Sequence, residues 1–123
     1  METNILEKLK TVRAEVLKKF NTLSLFVVIR RVDANLWDFV FAGEKLDQPN
    51  NLKLIADIVN KELNANEIIS ISRLVLLNSE DQFAKNFNSA FSVGDNNGYL
   101  TINDGQINNI HIKEAFLFFS KRV

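Results

Sequence analysis

Ile68-Ile69-Ser70-Ile71-Ser72-Arg73-Leu74-Val75-Leu76-Leu77, residues 68–77, is the stretch whose reading decides the fold. Its first five residues are isoleucine or serine and four of its last five are apolar. Ten residues are short for a globular helix, and this density suits a strand buried on both faces. Helical patterns flank it on either side. The expectation is therefore a strand in the middle of a sheet, roofed by those helices.

Upstream, Asn50 or Asn51 caps a helix running to about Leu63, with Leu52, Ile55, Ile58, Val59 and Leu63 on its apolar face. Asn64-Ala65-Asn66 breaks it. Downstream, Ser79 and Gln82 form a capping box, with Glu80 and Asp81 suited to the positive helix end. Phe83, Ala84, Phe87, Ala90 and Phe91 then mark a helix ending near Ser92, before Gly94.

Farther out lie two hairpins and one more helix. Leu23 to Val32 is strand-like and apolar on both faces, Asp33-Ala34-Asn35 is turn chemistry, and Leu36 to Ala42 alternates Trp37, Phe39 and Phe41 against Asp38. Asn4 to Phe20 repeats apolar residues at helical spacing through Ile5, Leu9, Val12, Val16 and Phe20. Asn4 with Glu7 suits its start, Asn21 suits a left-handed end, and Lys8, Lys10, Arg13, Lys18 and Lys19 fall off the stripe toward solvent. Near the C-terminus, Tyr99 to Asn103, a turn at Asp104-Gly105 and Gln106 onward read as a second hairpin, with a kink or bulge at Asn108-Asn109. Ala115 to Ser120 is a last strand. The order is α-β-β-α-β-α-β-β: one α+β domain over residues 1–123, with a mixed, mostly antiparallel sheet of about five strands covered by helices.

Composition excludes several classes. An apolar fraction of 46% and a charged fraction of 24% belong to an ordinary globular chain of 123 residues. No cysteine is present, which removes disulfides, thiolate metal sites and cysteine nucleophiles. The charged N-terminal segment does not read as a secretory signal, and no apolar run reaches transmembrane length, so the expectation is a cytoplasmic protein. Sixteen Asn, eleven Ile and twice as many Lys as Arg point to an AT-rich microbial genome, most simply a bacterial one.

The formal charge is zero, but residues 1–31 carry +4, residues 32–114 carry −6, and Lys121 with Arg122 add +2. A nucleic-acid accessory role through the N-terminal helix, Arg30, Arg31, Lys121 and Arg122 is one reading. Affinity built on phosphate contacts normally needs a larger basic excess.

Few residues suggest chemistry. Asp95 to Asp104 superficially suits a calcium loop, yet with Gly98 in the glycine position Val93 falls where the first ligand belongs. His111, the only histidine, lacks partners for a triad or metal site and should point away from whatever Ile110 and Ile112 bury. No GxGxxG, Walker, HExxH or GxSxG motif occurs, so no catalytic residue, cofactor or metal is assigned.

Arg73 is the exception. On a buried strand its guanidinium needs a partner, and Asp38 on the first hairpin is the match. That pair is either structural or the base of an anion pocket lined by Arg73, Asp38 and Trp37. The phenylalanines suggest something else. Phe116, Phe118 and Phe119 load the last strand on both faces, so an edge position would demand a cover, met most simply by a second copy. The leading expectation is a non-catalytic interaction or assembly module acting as a homodimer. The alternatives are a small-ligand binder or enzyme at the arginine pocket, and the nucleic-acid role.

Overall fold

A computed structural model describes residues 1–93 and 98–121. The chain folds as α1 (Thr3–Lys19), β1 (Leu23–Arg31), β2 (Trp37–Gly43), α2 (Pro49–Glu62), α3 (Ala65–Ile68), β3 (Ile71–Asn78), α4 (Gln82–Ala90), β4 (Leu100–Ile107) and β5 (Ile110–Ser120). Apart from the single turn α3, this is the order read from the sequence. The five strands make one mixed sheet in the order β3-β2-β1-β5-β4, in which only the β2–β3 pair is parallel. The domain is α+β.

The centre of that sheet is β1, not the stretch at residues 68–77. β1 lies between β2 and β5, and seven of its nine residues are buried. β3 is an outermost strand whose apolar residues are only half-buried. Ile68 closes α3, and Ile69 is 73% exposed. An apolar run records that side chains are partly covered, and it does not record how many strands lie beside them. Conversely β5, the suspected edge, is interior. Its Phe116, Phe118 and Phe119 are buried within the chain, so they offer no surface to a second copy.

Two cores sandwich the sheet. On one face α1 and α2 cover Phe26, Val28, Trp37, Phe39, Phe41, Phe116, Phe118 and Phe119. Phe26 is at the centre, stacked on Phe41 at 4.4 Å and on Phe118 at 5.3 Å. On the other face α4 lays Phe83, Ala84 and Phe87 over Leu25, Val27, Ile29, Ala115 and Leu117. Phe118 and Phe119 are adjacent yet share a face, because the β1–β5 register slips between Phe26–Phe119 and Val27–Leu117. A bulge of this kind cancels the strict alternation expected of a strand.

The turns follow side-chain chemistry with some corrections. The second hairpin turns at Asn108-Asn109, both with positive φ (52° and 65°), the geometry of a two-residue hairpin loop. Asp104-Gly105 lies inside β4 instead, with Asp104 at φ 53°. Helix α1 starts after Glu2 without a side-chain cap and ends at Phe20 without a left-handed residue. Pro49 opens α2, where its missing N–H costs nothing. Asn64 caps α3 in a reciprocal box with Glu67, and Asp81 caps α4 through the Phe83 amide at 2.9 Å. Gly43 is required where β2 meets the start of β1, since a Cβ there would lie 2.8 Å from the Thr22 carbonyl oxygen. Arg13 is buried, not solvated: its Nη1 donates to the Phe118 and Gly98 carbonyls at 2.9 and 2.6 Å.

Among the described residues no helix is long and apolar enough to cross a membrane. The calcium-like stretch falls partly outside the described residues. Its described part, from Gly98, enters strand at Leu100.

Candidate functional site

The two faces of the sheet are not equally covered. α4 has nine residues; beneath it the β1, β2 and β5 residues are buried, but Val75 and Leu77 on the outer strand β3 stay half-buried. There a cleft of about 290 Å³ has Ile29, Val40, Val75 and Leu77 as its floor and Phe83 and Ile110 as walls. Its polar rim is Arg31, Asp38, Arg73, Asp81 and Asn108.

Strand geometry assembles the charged end. Asp38 is opposite Ile29 on β1 and Arg73 on β3, so a carboxylate sits on the α4 face between two neighbouring strands. Arg31, two residues beyond Ile29, turns to the same face. Arg73 Nε lies 3.2 Å from Asp38 Oδ1, and Arg73 Nη2 donates to Oδ2 at 3.3 Å. Arg31 Nε approaches Oδ2 at 3.3 Å. The Asp38 side chain is 7% exposed, against 42% for Arg31 and 58% for Arg73.

A carboxylate this buried is costly unless paired, and these guanidiniums are what make it tolerable. The pairing is loose as well as close. Arg31 Nε and Asp38 Oδ1 are buried without a well-directed hydrogen bond, so part of the attraction is charge contact alone. Two cations around one anion leave a positive charge in excess at this end, and both guanidiniums line the cleft and stay partly exposed. Asp81, at the other end of β3, is engaged by the α4 N-terminus.

Arginine stays protonated, and no serine, histidine or lysine lines the cleft. His111 is exposed on β5, away from the lining. Among the described residues no cluster of three or more His, Asp or Glu could hold a metal ion.

Of the residues singled out in the sequence, the fold brings Arg73 and Asp38 together and separates Trp37 from them. Trp37 precedes Asp38 and so faces the opposite side of the sheet. It packs on Phe116 at 5.5 Å, with the Arg30 guanidinium 5.7 Å from its ring centre. Arg31 was the residue sequence reasoning missed. Its signal was parity, since Ile29 and Arg31 share a face on β1, but the sequence had set Arg31 with Arg30 among the cations for nucleic acid. Val75 and Leu77 read as sealed core because the open half of this face cannot be seen in a linear pattern.

The cations needed for nucleic acid are largely engaged elsewhere. Lys8 bonds Glu67 at 2.8 Å, Lys10 pairs with Glu7 at 2.9 Å, and Arg30 lies 3.5 Å from Glu114. Lys121 is exposed, and Arg122 falls outside the described residues. Lys8, with the Asn64 backbone amide, holds the Glu67 carboxyl below the usual carboxylate range.

No protein-family model, curated protein or solved structure matches this chain.

Proposed function

We propose that this protein is a non-catalytic binder of a small amphipathic monoanion, an apolar body bearing one carboxylate. The carboxylate sits between Arg31 and Arg73, and the apolar body lies along Ile29, Val40, Val75 and Leu77. The observation that carries this reading is the imbalance at the charged end: two half-exposed guanidiniums around one buried carboxylate, at the edge of an apolar cleft. The Arg31–Asp38–Arg73 end alone carries one net positive charge, with Asp81 across the cleft as a counter-charge, which suits a monoanion better than a dianionic phosphate. The cleft volume lies at the small end of ligand sites, which restricts the body to a short chain or a single ring.

The test is an NMR titration with short aliphatic and aromatic carboxylates against their uncharged primary amides. Shifts at Arg31, Arg73 and Val75 with the acids only, abolished by Arg73→Gln, are the expected result. Equal response to acid and amide, or no response to either, overturns the proposal. The reading of the chain as a homodimeric assembly module loses its support at β5, and an outer strand is the surface left to carry it.

A further inference from the structure

The sheet has two outer strands, and they are protected very differently. β4 carries Thr101, Asn103, Asp104 and Gln106, all exposed, and Asp104 breaks the regular backbone with φ 53°. Between the pairs Asn103–Glu114 and Gly105–Ile112 the ladder skips that residue. Charge and backbone irregularity are the usual devices that keep an edge from pairing with another chain. β3 has neither along its last four apolar residues. Leu74, Val75, Leu76 and Leu77 are half-buried, with β2 as their only strand neighbour. Ile69, two residues before the strand, is 73% exposed. The β2–β3 register slip lies at the other end, between Trp37–Ile71 and Asp38–Arg73.

We infer that β3 pairs antiparallel with β3 of a second copy about a two-fold axis at Val75, joining two five-stranded sheets into one. The register follows from the faces. Arg73, Val75 and Leu77 lie on the α4 side, and Leu74 and Leu76 on the side of α1 and α2. Directly opposed residues in an antiparallel pair share a face, so only registers centred on a residue keep both faces continuous. Centring on Leu74 sets Leu76 against Ser72. Centring on Val75 sets Leu74 against Leu76 of the second copy, Val75 against itself, and Leu77 against the aliphatic stem of Arg73. Leu74, Val75, Leu76 and Leu77 each then meet apolar surface.

Charge fits the same occupant. Arg73 is the only charged residue on β3, and this register places the two copies of it four residues apart along the pair, about 14 Å at a strand's rise. No like charges face each other across the axis. The pairing also places Leu77 of the second copy beside Arg73, on the open flank of the cleft. It rests on the edge itself and not on the ligand reading.

The absence of cysteine makes the test direct, because a single introduced thiol can form a disulfide only between chains. Opposed Cβ atoms on an axis come within disulfide reach where the pair is non-hydrogen-bonded, and a short bis-maleimide linker spans the hydrogen-bonded case. Val75→Cys under mild oxidation or with that linker should cross-link rapidly and completely, while Thr101→Cys on the β4 edge should not. The unmodified chain should sediment at twice the monomer mass, and Val75→Lys, which sets two ammoniums on the axis, should sediment as a folded monomer. A monomeric native chain, equal cross-linking at both positions, or a Val75→Lys variant that stays dimeric each overturns the proposal.

Discussion

The two faces of the sheet use the same strands to opposite ends. Under α1 and α2 the side chains are mainly aromatic and sealed, with Phe26, Phe39, Phe41 and Phe118 at most 1% exposed. Under α4 they are mostly aliphatic, and the cover thins at the outer strand, where Val75 and Leu77 are half-buried. A covered face stores stability. The half-covered one leaves room for the only close carboxylate–diarginine group among the described residues.

The largest test of this contrast is a pair of truncations. Phe26→Ala should cost about 3–5 kcal/mol in denaturant unfolding, as large aromatic cavities do. Val40→Ala on the cleft floor removes two methyl groups and should cost about 1–2 kcal/mol. Equal losses, despite the fewer atoms removed at Val40, would overturn the contrast between the faces.

Next is Asp38→Asn, which leaves two guanidiniums without their anion. Both are partly solvated, so the cost should be about 1–2 kcal/mol, below that of a sealed pair. Adding Arg73→Gln should recover part of it in a double-mutant cycle. Additive losses would show that the three groups are energetically separate. Arg73→Gln alone should cost about 1–2 kcal/mol, because it leaves the buried Asp38 carboxylate to Arg31 alone. It should also weaken carboxylate binding at least tenfold, about 1.4 kcal/mol.

The smallest effect belongs to the sealed face, where Lys8 ties α1 to Glu67 on α3. Because the folded Glu67 carboxyl titrates below its unfolded value, it adds stability above the unfolded range, near pH 4.3. That contribution disappears as pH falls through the lowered folded value. Wild type should therefore exceed Glu67→Gln in thermal stability at neutral pH and converge with it in acid. A constant gap across that range would remove Glu67 as the titrating group.

The Arg73–Asp38 pair was legible early because a charged residue within an apolar strand must find its opposite, and Asp38 was the acid on the neighbouring hairpin. Trp37 was misplaced by a single step of alternation, and Arg31 was passed over although its parity with Ile29 carried the information. Phe116, Phe118 and Phe119 were assigned to both faces because a bulge leaves no mark in the residue pattern.

Periodicity and turn chemistry, taken alone, were enough for the kind and order of the elements, the first hairpin and the α+β class, since these depend on neighbours a few residues apart. Which strand became central, which became an edge and where one face stayed open were settled only by tertiary packing. Those outcomes depend on contacts between β1 and β5, some ninety residues apart, and on how thinly the outer strand β3 is covered. A half-buried leucine and a fully buried one are spelled alike, and only the folded neighbours tell them apart.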